Sequence, residues 1–184
     1  MSKTLIIVLV IIALLVLWFI SVQRKLVNQD ELCKNAMSQI GVQQNSRWDA
    51  LTALVELVKS YNEHEYNTLR DVISMRKPLG RESTAADVNA QEQAINDVMK
   101  QINVAVEQYP DLKANENYGK AMDSVNTYEN QVRMSRMVYN DTVTKYNKIV
   151  RQFPDSIAAG ILGFAAKDYL QEPQGKTEMP SMKI

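Results

Sequence analysis

From Leu5 to Ile20 the chain reads LIIVLVIIALLVLWFI, sixteen apolar residues with no charge, glycine or proline among them. As a helix rising about 1.5 Å per residue, Thr4 to Val22 covers roughly 28 Å, close to the roughly 30 Å hydrocarbon thickness of a bilayer. Trp18 and Phe19 fall near one end, where amphipathic rings favour the headgroup level, and Lys3 and the Arg24-Lys25 pair can reach water on either side. The run, from Leu5 through Ile12 and Trp18 to Ile20, is read as a single membrane span. A cleaved secretory signal would have a more basic start, a shorter apolar run and a small-x-small site, which Ser21, Val22 and Gln23 do not supply. Lys3 stands on one side of the span and Arg24, Lys25 and Lys34 on the other, a bias that favours the cytoplasm for everything that follows.

The domains expected are an anchor over residues 1–25, a helical domain over 26–170 and a disordered tail over 171–184. The tail has the proline, glycine and polar content of an unstructured end. Without the anchor, about 160 residues remain, enough for one domain with its own core. Lys+Arg and Asp+Glu both number 21, so no net field draws the chain to nucleic acid, and no basic stripe with interleaved aromatics is present. Cys33 is the single cysteine, which excludes an internal disulfide and a thiolate metal site; its neighbours Leu32, Ala36 and Met37 suggest a buried thiol.

The spacing of apolar residues is helical throughout. Between the anchor and Pro78 there is no proline and one glycine, Gly41, so a single helix could run the whole way, bent at that glycine. Its apolar face runs Cys33, Met37, Ile40, Leu51, Leu54 or Val55, Val58 and Tyr61, interrupted by Gln44 and Arg47. After the turn at Pro78 and Gly80, with Ser83 or Thr84 as N-cap, a second helix is predicted from about Ala85 to Gln108. Asp111 to Asn115 is read as a connection. A third helix then carries Tyr118, Met122, Val125, Glu129, Val132, Arg136, Tyr139, Val143, Tyr146, Val150 and Phe153 at alternating steps of four and three. A heptad stripe of that length implies bundle packing. A short fourth helix follows Pro154, capped by Asp155 or Ser156, and is read as a lid on the bundle in preference to a segment on the membrane surface. The fold class is all-α: an N-terminal transmembrane helix, then an antiparallel bundle of long helices, three long plus one short. The three long helices do not match in length, so some ends must project and offer apolar stripes for self-association.

No catalytic, cofactor or metal constellation is present in the sequence. His64 is the lone histidine, and a zinc protease helix needs two one turn apart. Asp30-Glu31 and Glu63-Glu65 are sequence neighbours that point apart on a helix. Gly160-Ile161-Leu162-Gly163 lacks the lysine and hydroxyl of a phosphate loop. The sharper signal is the polar residues in core positions: Glu129 and Arg136 in the stripe, Asn140 and Asn147 beside it, and Arg47 on the first helix. Buried charge is tolerable only when paired, so a structural polar layer is expected, with Glu129 bonded to Arg136 or Arg47.

The segments NAMSQIGVQ, RWDALTALVELVKSYNEHE, YPDLKANENY, YENQVRMSRMVYNDTVTKYN and FPDSIAAGILGF resemble, in order, the LemA family of bacterial membrane-anchored helical proteins. The family usually has a tryptophan where Met37 stands. Its typical positions include Arg47, Glu129, Arg136, Tyr139, Asn140, Tyr146 and Asn147. The resemblance implies a membrane helix and an antiparallel helical bundle, with no established enzymatic activity, cofactor or catalytic residue. Some relatives are outward-facing lipoproteins, one helps to build magnetosome membranes, and others share neighbourhoods with a membrane metalloprotease. The function expected is a non-enzymatic scaffold or assembly protein of the bacterial inner membrane that forms a homo-oligomer or organises other membrane proteins. The alternative is an adaptor for membrane proteolysis or the envelope stress response, with a membrane protease as partner.

Overall fold

The computed structural model describes residues 3–60, 63–74 and 76–171, with the side chains of 63–65, 68 and 72 outside that description. The expected tail, beyond Gln171, therefore lies outside the described residues, as do Tyr61 and the His64 side chain. The described residues form six helices and no strand: α1 Lys3–Lys59, α2 Glu63–Ile73, α3 Ala85–Gln108, α4 Pro110–Lys113, α5 Glu116–Arg151 and α6 Asp155–Leu162. The chain is all-α, with a long apolar N-terminal helix and a helical bundle. It divides into two compact units, Met1–Ala36 with Val138–Tyr169, and Met37–Met137 with Leu170–Ile184.

In the first unit, α1 changes character along its length. Its apolar side chains are open from Leu5 at 49% exposure to Leu17 at 64%, then Trp18 and Phe19 are half-buried, and Val22 and Leu26 are buried. The span's apolar window is only 6% buried, the reverse of a soluble protein's core helix. Val22 and Leu26 pack with Ala158 and Ala159 of α6 and with Ile149 and Val150 of α5. Further along α1, Gln29 donates to the Thr142 carbonyl at 3.2 Å, so α1 and α5 run antiparallel. Pro154, not Asp155 or Ser156, precedes α6, and no side chain caps the helix. α6 ends at Gly163, whose φ of 77° is left-handed; Phe164 N–H bonds Ala159 O at 2.9 Å and Gly163 N–H bonds Gly160 O at 3.3 Å, a Schellman closure that favours glycine. Phe164 packs back on the same apolar cluster.

In the second unit the core is Trp48, Leu51, Leu54, Val55 and Val58 of α1, Leu69 of α2, Ile95, Val98 and Ile102 of α3, Leu112 of α4 and Val125 of α5. The single helix expected from the anchor toward Pro78 instead stops at Lys59, with Ser60 Oγ bonding the Leu57 carbonyl, and resumes as α2. The reason is tertiary. At about 1.5 Å per residue a continuous helix would put Leu79 more than 50 Å from Gly41, whereas an added Cβ at Gly41 would stand 2.6 Å from the Leu79 carbonyl oxygen. Arg76 bonds Asp49 at 2.6 Å and the Asn45 carbonyl at 3.4 Å, tying the returning segment to α1. The break removes most of the length mismatch the sequence suggests, because α2 folds back on the core instead of projecting.

α3 has the expected bounds, and Thr84 is its cap in a full capping box: Asp87 N–H to Thr84 Oγ1 at 3.2 Å, Thr84 N–H to Asp87 Oδ2 at 2.8 Å. The Thr84 bonds hold the Asp87 carboxyl below the ordinary carboxylate range. The connection expected over Asp111 to Asn115 contains a turn of helix, α4, started by Pro110. Asn115 caps α5 by accepting from Asn117 N–H at 2.9 Å. Along α5 the stripe is buried at Tyr118, Val125, Val132, Tyr139, Val143 and Tyr146, but its expected last member, Phe153, is 77% exposed because α5 ends at Arg151.

Candidate functional site

The most polar buried arrangement lies in the second unit, where α1, α3 and α5 meet. Arg47 is 2% exposed, one turn before Leu51 on the buried side of α1. Its Nη1 donates to Glu92 Oε1 at 3.0 Å and Oε2 at 3.1 Å, and its Nη2 to Glu129 Oε2 at 3.2 Å. Gln44, one turn earlier, donates to Glu92 Oε2 at 3.3 Å. Glu129 also pairs with Arg133 at 3.6 Å. Charge-assisted bonds of this kind are roughly twice as strong as neutral ones, and here one guanidinium joins three helices.

Arg136, 6% exposed, does not bond Glu129. Its Nη2 donates to Asn89 Oδ1 at 3.1 Å and to the Gln171 carbonyl. Burial pushes its guanidinium below the ordinary value, and Arg47 adds to the effect while Glu92 opposes it. The pairing of Asn89 with Arg136, and of Glu92 with Glu129 through Arg47, makes α3 and α5 antiparallel.

Of the five residues expected in the polar layer, Arg47, Glu129 and Arg136 share one site, and Asn147 belongs to another. In the first unit Asn147, 3% exposed, donates from Nδ2 to the Lys167 carbonyl and accepts from the Lys167 N–H, both at 2.9 Å. Its amide stands in for a neighbouring strand along the extended segment after α6. Tyr146 Oη donates to the Ala165 carbonyl at 2.9 Å and Tyr139 Oη to the Asp168 carbonyl at 3.4 Å. Burial pushes both phenols up to about 12. Lys167 Nζ reaches Asp30 at 2.9 Å; burial raises the Asp30 carboxyl, but the bond and charge of Lys167, with Lys34, hold it below its ordinary value. Asn140 is half-buried in the same unit, outside these pairs. Cys33 is buried, and burial raises its thiol.

Glu92 and Asn89 are the residues that sequence reasoning missed, whereas Gln44, which interrupts the apolar face of α1 in the sequence, joins Arg47 at Glu92. Glu92 sits at helical spacing from Val88 and Ile95 on the α3 core face, a signal that was present in the pattern.

Chemically, the Arg47 site is closed. The space among Arg47, Glu92, Glu129, Val132, Arg133 and Arg136 is about 10 Å³, the size for one water, against several hundred for a ligand pocket. A larger groove of about 610 Å³ lies along Lys77–Ser83 and the start of α3, but Asp87 there is held in the capping box and Arg81 stands 3.9 Å from Glu82. Among the described residues no group of three or more His, Cys, Asp or Glu could hold a metal ion. The span residues Leu5 and Ile12 are about half exposed, Trp18 is half-buried and Ile20 is 39% exposed.

A family model described as the LemA family matches residues 36–184. "Protein LemA" of Metamycoplasma hominis is 24% identical over 144 residues, which are 75% of this chain and 64% of that protein. The chain thus spans less than two thirds of the length of the curated relative it matches.

Proposed function

The chain belongs to the LemA family, and from that premise we propose that it is a non-enzymatic, single-pass membrane protein whose helical part serves as a scaffold, associating with its own copies or organising other membrane proteins. The observation that carries the reading is the continuity of α1, one helix whose side chains are open to solvent from Leu5 to Leu17 and which, from Val22 onward, buries one face in a protein core. Such a helix is compatible with a single-pass anchor, and it leaves no flexible link between the span and the first packed residues. The excess of Lys and Arg after the span favours the cytoplasmic side of the inner membrane.

The LemA family is not known as an enzyme family, and Arg47, Glu92 and Glu129 have one another as partners and no room for a substrate. Within this reading the Arg47 layer fixes the register of α1, α3 and α5. Met134 and Met137, 63% and 60% exposed and three residues apart on α5, offer an apolar face for contact with another chain.

Crosslinking tests the proposal. Met134→Cys in the full-length chain, treated in membranes with a bifunctional thiol reagent, should give a species of twice the chain mass, while buried Cys33 alone should give none. A crosslink of Met134→Cys to a second protein in fixed ratio would favour the adaptor role instead. Monomer alone at both Met134→Cys and Met137→Cys would remove self-association through this face.

A further inference from the structure

α6 has two faces. Ala158 and Ala159 are fully buried against Val22 and Leu26 of α1, while Ile157 and Ile161, and Phe153 just ahead of the helix, are exposed at 53%, 71% and 77%. Side chains four apart on a helix share a side, so the two isoleucines form one apolar strip facing away from the protein. The place of that strip follows from its buried neighbours. The cluster that holds α6 also contains Trp18 and Phe19, where the open apolar run of α1 ends. Leu5 to Ile20 is about 24 Å of helix, short of the roughly 30 Å hydrocarbon core, so a bilayer centred on it extends about 3 Å past Ile20, to the level of Val22. α6 rests against Val22 itself.

Exposed cations surround this level: Arg24 and Lys25 between Val22 and Leu26, and Lys148 and Arg151 in the last turns of α5. The only acid in α6 is Asp155. An eight-residue helix is about 12 Å long, far too short a face for the roughly 800 Å² per partner of a stable protein interface, whereas lipid needs no matched partner.

We propose that α6 is a second membrane contact, lying on the bilayer surface with Phe153, Ile157 and Ile161 in the boundary between headgroups and acyl chains, beside the exit of the span. This rests on the reading of α1 as a membrane anchor. The chain then holds the bilayer by a span and an interfacial helix together, which fixes the tilt and rotation of the first unit against the membrane in a way that a lone span does not.

The test uses the full-length chain in nanodiscs of phosphatidylcholine and phosphatidylglycerol. An environment-sensitive fluorophore is placed at Ile157→Cys, Ile161→Cys, Asp141→Cys as the aqueous reference on α5, or Leu9→Cys as the lipid reference in the span; buried Cys33 serves as the labelling control. Labels at 157 and 161 should be quenched by shallow doxyl lipids at least about threefold more than the label at 141, and by aqueous iodide about threefold less. Quenching at 157 and 161 equal to that at 141 would overturn the proposal. Shielding from iodide without doxyl quenching would also overturn it, since a protein would then cover the strip. If Leu9→Cys is not quenched by lipid, the anchor reading fails first; if it is and 157 and 161 are not, only the role of α6 is lost.

Discussion

Arg47 of α1 and Glu92 of α3 form a two-oxygen ion pair, Nη1 lying 3.0 Å and 3.1 Å from the carboxylate oxygens, with the guanidinium 2% exposed and its second nitrogen turned to Glu129 of α5. A buried pair recovers in Coulomb energy and hydrogen bonds little more than its desolvation costs, so its value is in selecting one alignment. Sliding α3 by one turn relative to α1 would leave Arg47 facing Val88 or Ile95 in place of Glu92.

Removing one partner of this pair should be severe. Glu92→Ala leaves the Arg47 charge buried with only Glu129, at a cost of about 3 kcal/mol, whereas Glu129→Gln keeps the Glu92 contact and should cost about 1 kcal/mol. Urea unfolding of the detergent-extracted chain followed by circular dichroism gives both values. Equal effects would show that Glu129 contributes as much to holding Arg47 as Glu92 does.

Gly41 is fixed by a close approach. A methyl group there would meet the Leu79 carbonyl oxygen at 2.6 Å, well inside contact distance. Gly41→Ala gains helix propensity of roughly 1 kcal/mol but must displace residues 77–80, and the net result should be a loss of about 1–2 kcal/mol. A thermal midpoint for Gly41→Ala at or above that of the parent chain would mean that the segment yields without cost.

The extended segment after α6 hangs on α5 side chains. Asn147→Ala removes both bonds to the Lys167 main chain and should cost about 2 kcal/mol while exposing the Lys167 amide to exchange. Hydrogen exchange should show the loss confined to residues near 165–169. Unchanged protection at Lys167 would assign the segment's order to other contacts.

Alkaline pH should loosen the same segment. Tyr139 and Tyr146 titrate near 12 in the folded chain against 10.0 ordinarily, and each donates its phenolic proton to a main-chain carbonyl. A folded value raised above the unfolded one means that the stability is complete below pH 10 and is lost as pH climbs toward 12. Phenolate absorbance should show late-titrating tyrosines, Tyr139 and Tyr146 beside buried Tyr118, whose phenol burial also raises, and Tyr146→Phe should remove one of them. Titration of every tyrosine near pH 10 would contradict the geometry.

Much of this was legible in the residues. The steps of four and three placed the buried face of α5, the capping threonine marked the start of α3, and charges at core positions marked Arg47, Glu129 and Arg136 for pairing. What escaped reading was decided by distant parts of the chain. The stop at Lys59 has no glycine or proline to announce it and follows from the return of Leu79 to Gly41. Glu92 sits in the second turn of its helix, where acids are favoured by the dipole and look solvated. Residues 164–169 carry no periodicity, because a non-helical segment bonded by the side chains of Tyr146 and Asn147 needs none.

The polypeptide mass of the full-length chain in detergent, measured by sedimentation with the bound detergent subtracted, tests the scaffold proposal most directly. The account expects a whole multiple of 20.9 kDa greater than one, which falls when Met134 and Met137 are both replaced by lysine. A single species of 20.9 kDa at every protein concentration, alone and without a stoichiometric partner, would contradict it.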